Sequence, residues 1–192
     1  MEFILLSVVP LALVGRDAYI EKIFKMHNEY RQQLLECKIW DEELAGQAKA
    51  LSKSCRSSNK SPTSRKFNSV GQNIASCGTV ESVIESWFNQ HVSYDFKNNR
   101  CTRRCGQYLQ MVFENTTHIG CGVTECPQKK DNGYVLLVVC NYGPGANFSV
   151  RPYEAKDTGK FCSMKGNAAT VQPKKGRWTF TKINRKFKPT NK

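Results

Sequence analysis

Nine cysteines in a chain of 192 residues are the feature that most constrains what this sequence can fold into. Cytosolic proteins of this size rarely carry so many, because the cytosol keeps thiols reduced, whereas exported proteins use them in disulfides. The spacing of the cysteines does not by itself decide which ones pair. Because nine is odd, at least one thiol is free or bonded to another molecule. The cysteine content therefore predicts a disulfide-stabilised domain that folds in an oxidising compartment.

The N-terminus carries an apolar run, residues 3–14, that is shorter than the roughly 20 residues needed to cross a bilayer. Gly15 follows as a small residue suited to cleavage, so we interpret residues 1–15 as a secretory signal peptide. The segment carries Glu2 and neither Lys nor Arg, and an N-terminal strand is the alternative. We expect a secreted, extracellular protein without a transmembrane segment after signal removal. Three N-x-[ST] sequons are its expected glycosylation sites: Asn59, Asn115 and Asn147.

Positive charge is concentrated at the C-terminus. The formal net charge is +13, and the sequence after Asp157 contains ten basic residues and no acidic one. We interpret residues 163–192 as a basic, flexible tail that docks to a heparan-type glycan or an anionic membrane surface. A solvated arm with no specific partner is the alternative, and nucleic acid is not expected for a secreted chain. Because the remaining sequence is nearly balanced in charge, the folded body is not expected to bind polyanions. The residues assigned to polyanion binding are Lys174, Lys175, Arg177, Lys182, Arg185, Lys186 and Lys188.

Hydrophobic periodicity predicts helices first and strands later. Apolar residues recur at helical spacing over residues 18–36, then after Asp41, a suitable N-cap, and again from Thr79 onwards. From residue 118 the period changes, and residues 118–126 and 134–140 are typical of strands joined by a turn. The second strand is apolar on both faces, which predicts a sheet covered on both sides. The fold class expected is therefore α+β, with layered helices and sheet.

Seven short motifs follow one another in a fixed order: HNEYR from His27, WDEELA from Trp40, GQNIA from Gly71, SWF from Ser86, CGQYLQ from Cys105, IGCG from Ile119 and CNYGPGANF from Cys140. Each motif alone is weak, but seven in order are specific. Together they resemble the CAP superfamily, the group of sperm-coating proteins, venom antigen-5 allergens and plant pathogenesis-related proteins. The sequence looks most like its glioma-pathogenesis-related and helminth venom-allergen-like branches.

The resemblance implies a disulfide-stabilised three-layer α-β-α sandwich, which we place at residues 16–162. It also implies three disulfides that spacing alone could not assign: Cys55–Cys126, Cys101–Cys105 and Cys121–Cys140. Two of the remaining cysteines could pair with each other; these are Cys37, Cys77 and Cys162.

Many CAP proteins build a cleft from two histidines and two glutamates, a ligand set suited to Zn²⁺. At the matching positions this sequence carries amides: Asn59 (or its neighbour Lys60), Gln72, Gln90 and Gln107. A carboxamide cannot take up a proton near neutral pH and is a poor zinc ligand. We therefore expect no catalytic residue, no metal and no cofactor. The three glutamines either form a hydrogen-bonded network that keeps the cleft folded, or line a neutral cleft that binds a polar ligand.

The three histidines do not restore the missing chemistry. His27 and His91 lie on helical stripes and are expected to be core or boundary residues, while His118 precedes a strand and is expected at the surface. No hydrolase motif such as G-x-S-x-G or H-E-x-x-H is present in the sequence. Enzymatic activity is not expected.

The function expected from the resemblance is that of a secreted, non-catalytic binding protein that carries a lipid, either a sterol near the cleft loops or a fatty acid between the helices flanking the sheet. Two helix faces could open an apolar slot for the lipid, or they could simply pack the core. One face carries Ala45 and Ala48, and the other carries Trp87 and Phe88. An extracellular interaction or immunomodulatory protein that docks through its tail is the alternative. A metal-dependent hydrolase is a third hypothesis, held only because relatives carry the histidine and glutamate set.

Overall fold

The computed structural model describes residues 11–31, 35–56, 61–128 and 133–154, with side chains from Ala18 onwards. By its contacts the chain divides into two units, Met1–Cys162 and Ser163–Lys192, and every described residue belongs to the first. The predicted tail, Asn59 and Cys162 lie outside the described residues, as does most of the predicted signal segment.

Four α-helices form in the described ranges, and side chains cap the starts of two of them. They are α1 (Leu11–Arg31), α2 (Glu42–Lys53), α3 (Val80–Asn89) and α4 (Gly106–Val112), with a short 3-10 turn, Gln90–Ser93, continuing α3. The Asp41 carboxylate accepts from the Leu44 N–H at 3.0 Å, and the Thr79 hydroxyl accepts from the Ser82 N–H at 3.1 Å. The predicted N-cap Asp41 is confirmed, and so is the helix start predicted at Thr79, which the structure shows to be an N-cap. The first helix is described over Leu11–Arg31, and Leu35 is no longer helical, one residue before the predicted end at residue 36. Because residues 11–14 belong to this helix, they do not form the alternative N-terminal strand.

Within the part of the chain that the structure describes, the main sheet has four strands in the order β1-β5-β6-β2: β1 (Ile39–Trp40), β2 (Gly71–Cys77), β5 (His118–Pro127) and β6 (Tyr134–Gly143). Strand β6 is antiparallel to both β5 and β2, whereas β1 pairs with β5 in parallel. Strands β3 (Tyr94–Asp95) and β4 (Arg100–Cys101) form a separate hairpin. The two predicted strands are confirmed as β5 and β6, while periodicity missed β2, α4 and the hairpin.

Helices cover both faces of the main sheet, which confirms the three-layer α-β-α sandwich. Side chains of β6 alternate between two cores: Val138 and Cys140 pack with residues of α1, α3 and α4, whereas Leu137 and Val139 pack with Ala48 of α2. The second helix lies very close to β5. A Cβ atom at Gly120 or Gly122 would overlap the backbone of α2.

Disulfides join these layers as the resemblance implied. Cys55–Cys126 links the end of α2 to β5 across 71 residues, Cys121–Cys140 joins facing residues of β5 and β6, and Cys101–Cys105 closes the loop after β4. A bridge that closes so long a loop stabilises a domain by about 2–4 kcal/mol. Cys37 is also disulfide-bonded, to a partner outside the described residues, and Cys77 is a free thiol.

Two buried cations, Arg31 at the end of α1 and Lys38 just before β1, donate to carbonyl oxygens of the α4–β5 connection and of the end of α4. The Arg31 guanidinium donates to the carbonyl oxygens of Met111 and Phe113 at 3.2 and 2.9 Å, and the Lys38 ammonium donates to that of Thr116 at 3.2 Å. Burial lowers the pKa of Arg31 to about 10 and the pKa of Lys38 well below its usual value, with the Arg31 charge adding to the effect on Lys38. These side chains hold the connection between α4 and β5 in place.

The close approach of α2 to the sheet yields a matched pair of substitutions. We expect Gly122→Ala to destabilise the protein by about 1–3 kcal/mol, because the methyl group forces α2 off β5. Gly46, in the interior of α2, has open space around it, and Gly46→Ala should stabilise the helix by about 0.5–1 kcal/mol. Urea unfolding followed by circular dichroism measures both changes. Equal effects at the two positions would contradict the close packing of α2.

Candidate functional site

Two of the amides predicted for the cleft meet directly. Gln90, which follows α3, donates through Nε2 to Oε1 of Gln107 at 2.5 Å, and the backbone N–H of Gln107 donates to Oε1 of Gln90 at 3.1 Å. The remaining amide group of Gln107 donates to the carbonyl oxygen of Ile74 at 3.1 Å. The two glutamine side chains therefore form hydrogen bonds with each other and with the backbone of β2. The pair fits the predicted polar network that keeps a cleft folded without charge.

A chain of buried polar groups leads from this pair into the core. Asn73 donates through Nδ2 to the carbonyl oxygen of Gln107 at 3.0 Å and to the hydroxyl of Tyr142 at 3.2 Å. Tyr142 lies 2.8 Å from Nε2 of His27, whose Nδ1 lies 2.8 Å from the carbonyl oxygen of Ile23. Because a carbonyl oxygen only accepts, Nδ1 carries the proton, so Nε2 accepts from the Tyr142 hydroxyl. The network thus connects α1, β6, β2 and α4.

His27 is held neutral by its surroundings. Burial lowers its pKa to about 3, and the charges of Lys38 and Arg31 act in the same direction. Burial also raises the pKa of Tyr142 well above its usual value. Neither group can exchange protons near neutral pH, and both are enclosed by the core. His27 is therefore a structural core residue, as the sequence predicted.

Gln72 does not join the other two glutamines. It donates through Nε2 to Oδ1 of Asn141 at 2.8 Å, and Asn141 donates in turn to the carbonyl oxygen of Leu44 in α2 at 3.0 Å. Its neighbour Asn73 points to the opposite face of the sheet, because successive side chains of a strand alternate. A single network of Gln72, Gln90 and Gln107 is consequently wrong: the sheet separates the amides into two groups. Asn59, the fourth predicted position, lies outside the described residues.

Gln90 and Gln107 are followed in the chain by His91 and Tyr108, two members of a set of aromatic rings that we call the aromatic cluster. Phe88 stacks on Tyr30 with ring centroids 3.9 Å apart and meets Tyr108 edge-on at 5.7 Å. The Tyr108 hydroxyl lies 3.2 Å from that of Tyr153. Most of the rings are partly exposed, so the cluster forms a semi-open apolar surface between α1, α3 and the hairpin. Its members are Tyr30, Phe88, His91, Tyr94, Phe96, Tyr108 and Tyr153.

Burial keeps the phenol groups of Tyr94 and Tyr108 protonated near neutral pH, because it raises the pKa of each. Burial raises the pKa of Tyr94 to about 12 and raises that of Tyr108 further. His91 lies in the cluster with Nδ1 2.9 Å from the carbonyl oxygen of Phe88. His118 lies apart, half-buried at the start of β5, with Nδ1 2.8 Å from the Thr117 hydroxyl. The histidines are thus dispersed over three separate environments.

The described part of the chain brings no three His, Cys, Asp or Glu side chains together in a way that could hold a metal ion. In the same part of the chain, no helix is long and apolar enough to span a membrane. The predicted glycosylation residues Asn115 and Asn147 are exposed. The described site therefore contains neutral amides that form hydrogen bonds, and partly exposed aromatic rings.

Sequence reasoning missed the aromatic cluster and the linking role of Asn73 and Tyr142. The members of the cluster come from segments far apart in the chain. Tyr30, Phe88 and Tyr108 lie inside the quoted motifs HNEYR, SWF and CGQYLQ, but no motif indicates that their rings meet. Asn73 and Tyr142 do lie inside the quoted motifs GQNIA and CNYGPGANF. The motifs marked these two residues, but they did not indicate that the side chains would hydrogen-bond to each other.

Comparisons with known proteins agree on one family. The model of the CAP, cysteine-rich secretory protein, family matches residues 24–142. GLIPR1-like protein 1 of Mus musculus is 32% identical over 165 residues, covering 77% of this chain and 69% of that protein. Venom allergen 5 of Vespula vidua is 31% identical over 172 residues, covering 73% and 81%. The solved structure of venom allergen-like protein 4 of Schistosoma mansoni superposes with a TM-score of 0.60 at 34% identity, covering 74% of this chain and 95% of that one.

The buried His27 predicts a pH dependence of stability. The pKa of His27 is about 3 in the folded protein and about 6.5 in the unfolded chain, so only the unfolded chain gains this proton as pH falls from about 6.5 towards 3. Stability is therefore lost on acidification, by about 2 kcal/mol between roughly pH 7.5 and pH 5. Urea unfolding at both pH values should show that loss in the wild-type protein.

His27→Gln should be less stable at neutral pH but should lack this part of the pH dependence, because no imidazole remains to be protonated on unfolding. His118→Gln is the control and should keep the wild-type dependence. If wild-type and His27→Gln proteins lost the same free energy between the two pH values, the neutral, buried state of His27 would be refuted.

Proposed function

Because the chain belongs to the CAP family of cysteine-rich secretory proteins, we propose that it is a secreted, non-catalytic binding protein that carries an apolar lipid. Secretion is supported by the apolar N-terminal segment and by the disulfides, since seven of the eight described cysteines are bonded. Such pairing is typical of proteins that fold outside the reducing cytosol.

A non-catalytic role is supported by the mutual satisfaction of Gln90 and Gln107. Each amide already has hydrogen-bond partners in the protein, and neither can act as a general acid or base near neutral pH. The nearest core histidine, His27, is held neutral by burial, and its nitrogens are occupied by Ile23 and Tyr142. The proposal therefore assigns the site to recognition.

The observation that carries the lipid proposal is the partly exposed aromatic cluster. Ala48 and Trp87, on the helix faces considered for a slot, are fully buried in two separate cores, and the stacked pair Tyr30 and Phe88 fills the contact of α1 with α3. A fatty acid between the helices would have to displace these side chains. A flat sterol lying against the rings would not, and we place the ligand there. Val92, 77% exposed and next to His91, borders this surface.

A charge introduced at that border should weaken sterol binding. Val92→Asp is expected to lower the affinity for radiolabelled cholesterol by about tenfold or more, since bringing an apolar ligand against a carboxylate desolvates the charge. Tyr134→Asp is the matched control, because Tyr134 is 71% exposed at the start of β6, outside the aromatic cluster. It should bind like the wild-type protein.

Organic extraction of the protein purified from a secretory host tests whether a lipid is retained at all. Titration with palmitate in parallel separates sterol from fatty-acid binding. Absence of saturable binding of either ligand would refute the lipid proposal, and equal losses in the Val92 and Tyr134 variants would refute its location.

A second candidate function, docking to cell-surface glycans through the C-terminal tail, is supported by the concentration of charge in the sequence. Ten basic residues without an acidic one after Asp157 attract sulfated polymers through screened electrostatics. This interaction would localise the protein at a cell surface and is compatible with lipid carriage by the body.

Replacing the seven tail residues Lys174, Lys175, Arg177, Lys182, Arg185, Lys186 and Lys188 by glutamine should lower the salt concentration at which the protein elutes from immobilised heparin, because the screened attraction is lost. A variant with lysines and arginines exchanged at the same positions keeps the charge and should elute like the wild-type protein. Unchanged elution of the glutamine variant would contradict a role of the tail.

A further inference from the structure

The hairpin β3–β4 and the disulfide loop after it carry a second concentration of positive charge. Four exposed basic residues occur within eight positions, and a fifth joins them from the end of the described chain. The sequence before the tail is nearly balanced in charge, so this grouping is not evident from composition. Folding completes it by bringing the fifth residue to the hairpin. We call the group the hairpin arginine cluster: Lys97, Arg100, Arg103, Arg104 and Arg151.

Arg151 is fixed against the hairpin by specific contacts. Its Nε donates to the carbonyl oxygen of Phe96 at 3.2 Å, and its Nη2 donates to that of Lys97 at 3.0 Å. The guanidinium also lies over the Phe96 ring, 5.6 Å from its centroid. Since a guanidinium has five N–H donors, three remain available to a ligand. Arg151 is exposed and positioned in advance of binding.

The hairpin itself is rigidly built. Asp95 accepts from the backbone N–H and the side-chain amide of Asn98 at 3.2 and 2.6 Å, and the Tyr94 hydroxyl donates to Oδ1 of Asn99 at 2.8 Å. Asn99 has a φ of 48°, a left-handed conformation that asparagine tolerates in tight turns. The Cys101–Cys105 disulfide closes the following loop. A rigid support lowers the entropy cost of binding through the cluster.

Acidic side chains of the described ranges form no ion pair with this cluster, although Asp95 lies opposite Arg100 in the hairpin. Asp95, the one acid between residues 94 and 105, is engaged with Asn98. Those hydrogen bonds hold the pKa of Asp95 below the usual value, and the Arg100 charge contributes to lowering it. Within the described ranges, Lys97, Arg103 and Arg104 form no ion pair. Basic residues elsewhere do: the pairs are Lys22–Glu81, Lys25–Glu29, Arg65–Glu43 and Lys66–Asp41.

We propose that the hairpin arginine cluster binds a sulfated polysaccharide, at a site separate from the C-terminal tail; the choice of partner rests on the proposed secretion. Guanidinium groups present paired donors that match the oxygens of a sulfate group, and such charge-assisted bonds are stronger than neutral ones. An anionic bilayer fits less well. Phe96, the aromatic side chain at the tip, is covered by Arg151 and Tyr153, so it does not offer an apolar anchor for insertion.

The test uses the full-length chain in which the seven tail residues have been replaced by glutamine, so that the body alone carries the binding. In that background Arg100→Ser, Arg103→Ser and Arg104→Ser are combined. Binding of a size-defined heparin oligosaccharide is measured by calorimetry at constant ionic strength. We expect the triple variant to lose about tenfold or more in affinity, because three charge-assisted contacts are removed.

A matched control removes the same charge from another surface. Lys49→Ser, Lys53→Ser and Arg56→Ser change three exposed basic residues on and just after α2, and this variant should lose about twofold at most. Arg100→Lys, Arg103→Lys and Arg104→Lys keep the charge without the paired donors and should lose about threefold. Thermal unfolding confirms that all variants are folded, and Arg103→Ser alone provides a minimal change with a smaller loss in the same direction.

Several results would overturn the proposal. Equal losses in the hairpin and α2 variants would mean that heparin senses only overall charge. Full affinity in the lysine variant would remove the specific role of arginine. Binding to phosphatidylserine vesicles that depends on the hairpin, with heparin binding unchanged, would identify a membrane as the partner. Cholesterol binding should be the same in all these variants, so failure here leaves the lipid proposal to its own test.

Discussion

Strand β6 crosses the middle of the sheet with residues 136–143 buried, so none of its polar groups can rely on solvent. Its backbone pairs with β5 on one side and with β2 on the other. Its two polar side chains near the end, Asn141 and Tyr142, must find partners inside the protein, because an unpaired buried polar group is costly. Asn141 reaches Gln72 and α2 on one face, while Tyr142 reaches His27 and Asn73 on the other. Because β6 is buried on both faces, its polar side chains connect it to α2 on one face and to α1 and β2 on the other.

The same constraint explains why the amide positions separate. The resemblance to the CAP family implied a single polar cleft at these positions. Here Gln72 is satisfied through Asn141, whereas Gln90 and Gln107 are satisfied by each other and by Ile74. Neutral amides need only hydrogen bonds, and each finds them locally. The positions thereby become part of the scaffold.

Two such surfaces adjoin at the hairpin. Phe96 belongs to the aromatic cluster through Tyr94 and Tyr153, and the guanidinium of Arg151 lies over its ring. An apolar surface and a cationic one thus share a rigid element closed by the Cys101–Cys105 disulfide. Under the two proposals the lipid contacts the rings and the sulfated chain contacts the arginines, so the two ligands would use different atoms of the hairpin. The hairpin would then take part both in carrying the lipid and in attaching the protein to a sulfated polysaccharide.

Local chemistry was determined by the sequence itself. The N-cap Asp41, the start of α3 at Thr79, the strands β5 and β6 and the core position of His27 follow from periodicity and from side-chain hydrogen bonding, both of which act over a few residues. The ordered motifs added the family, and with it the sandwich and the disulfides. Tertiary structure alone decided that Gln72 faces away from Gln107 and that distant rings form one cluster. It also decided that Arg151 rests on a hairpin more than forty residues earlier in the chain. Such placements depend on strand register and on packing between distant segments, and no local pattern records them.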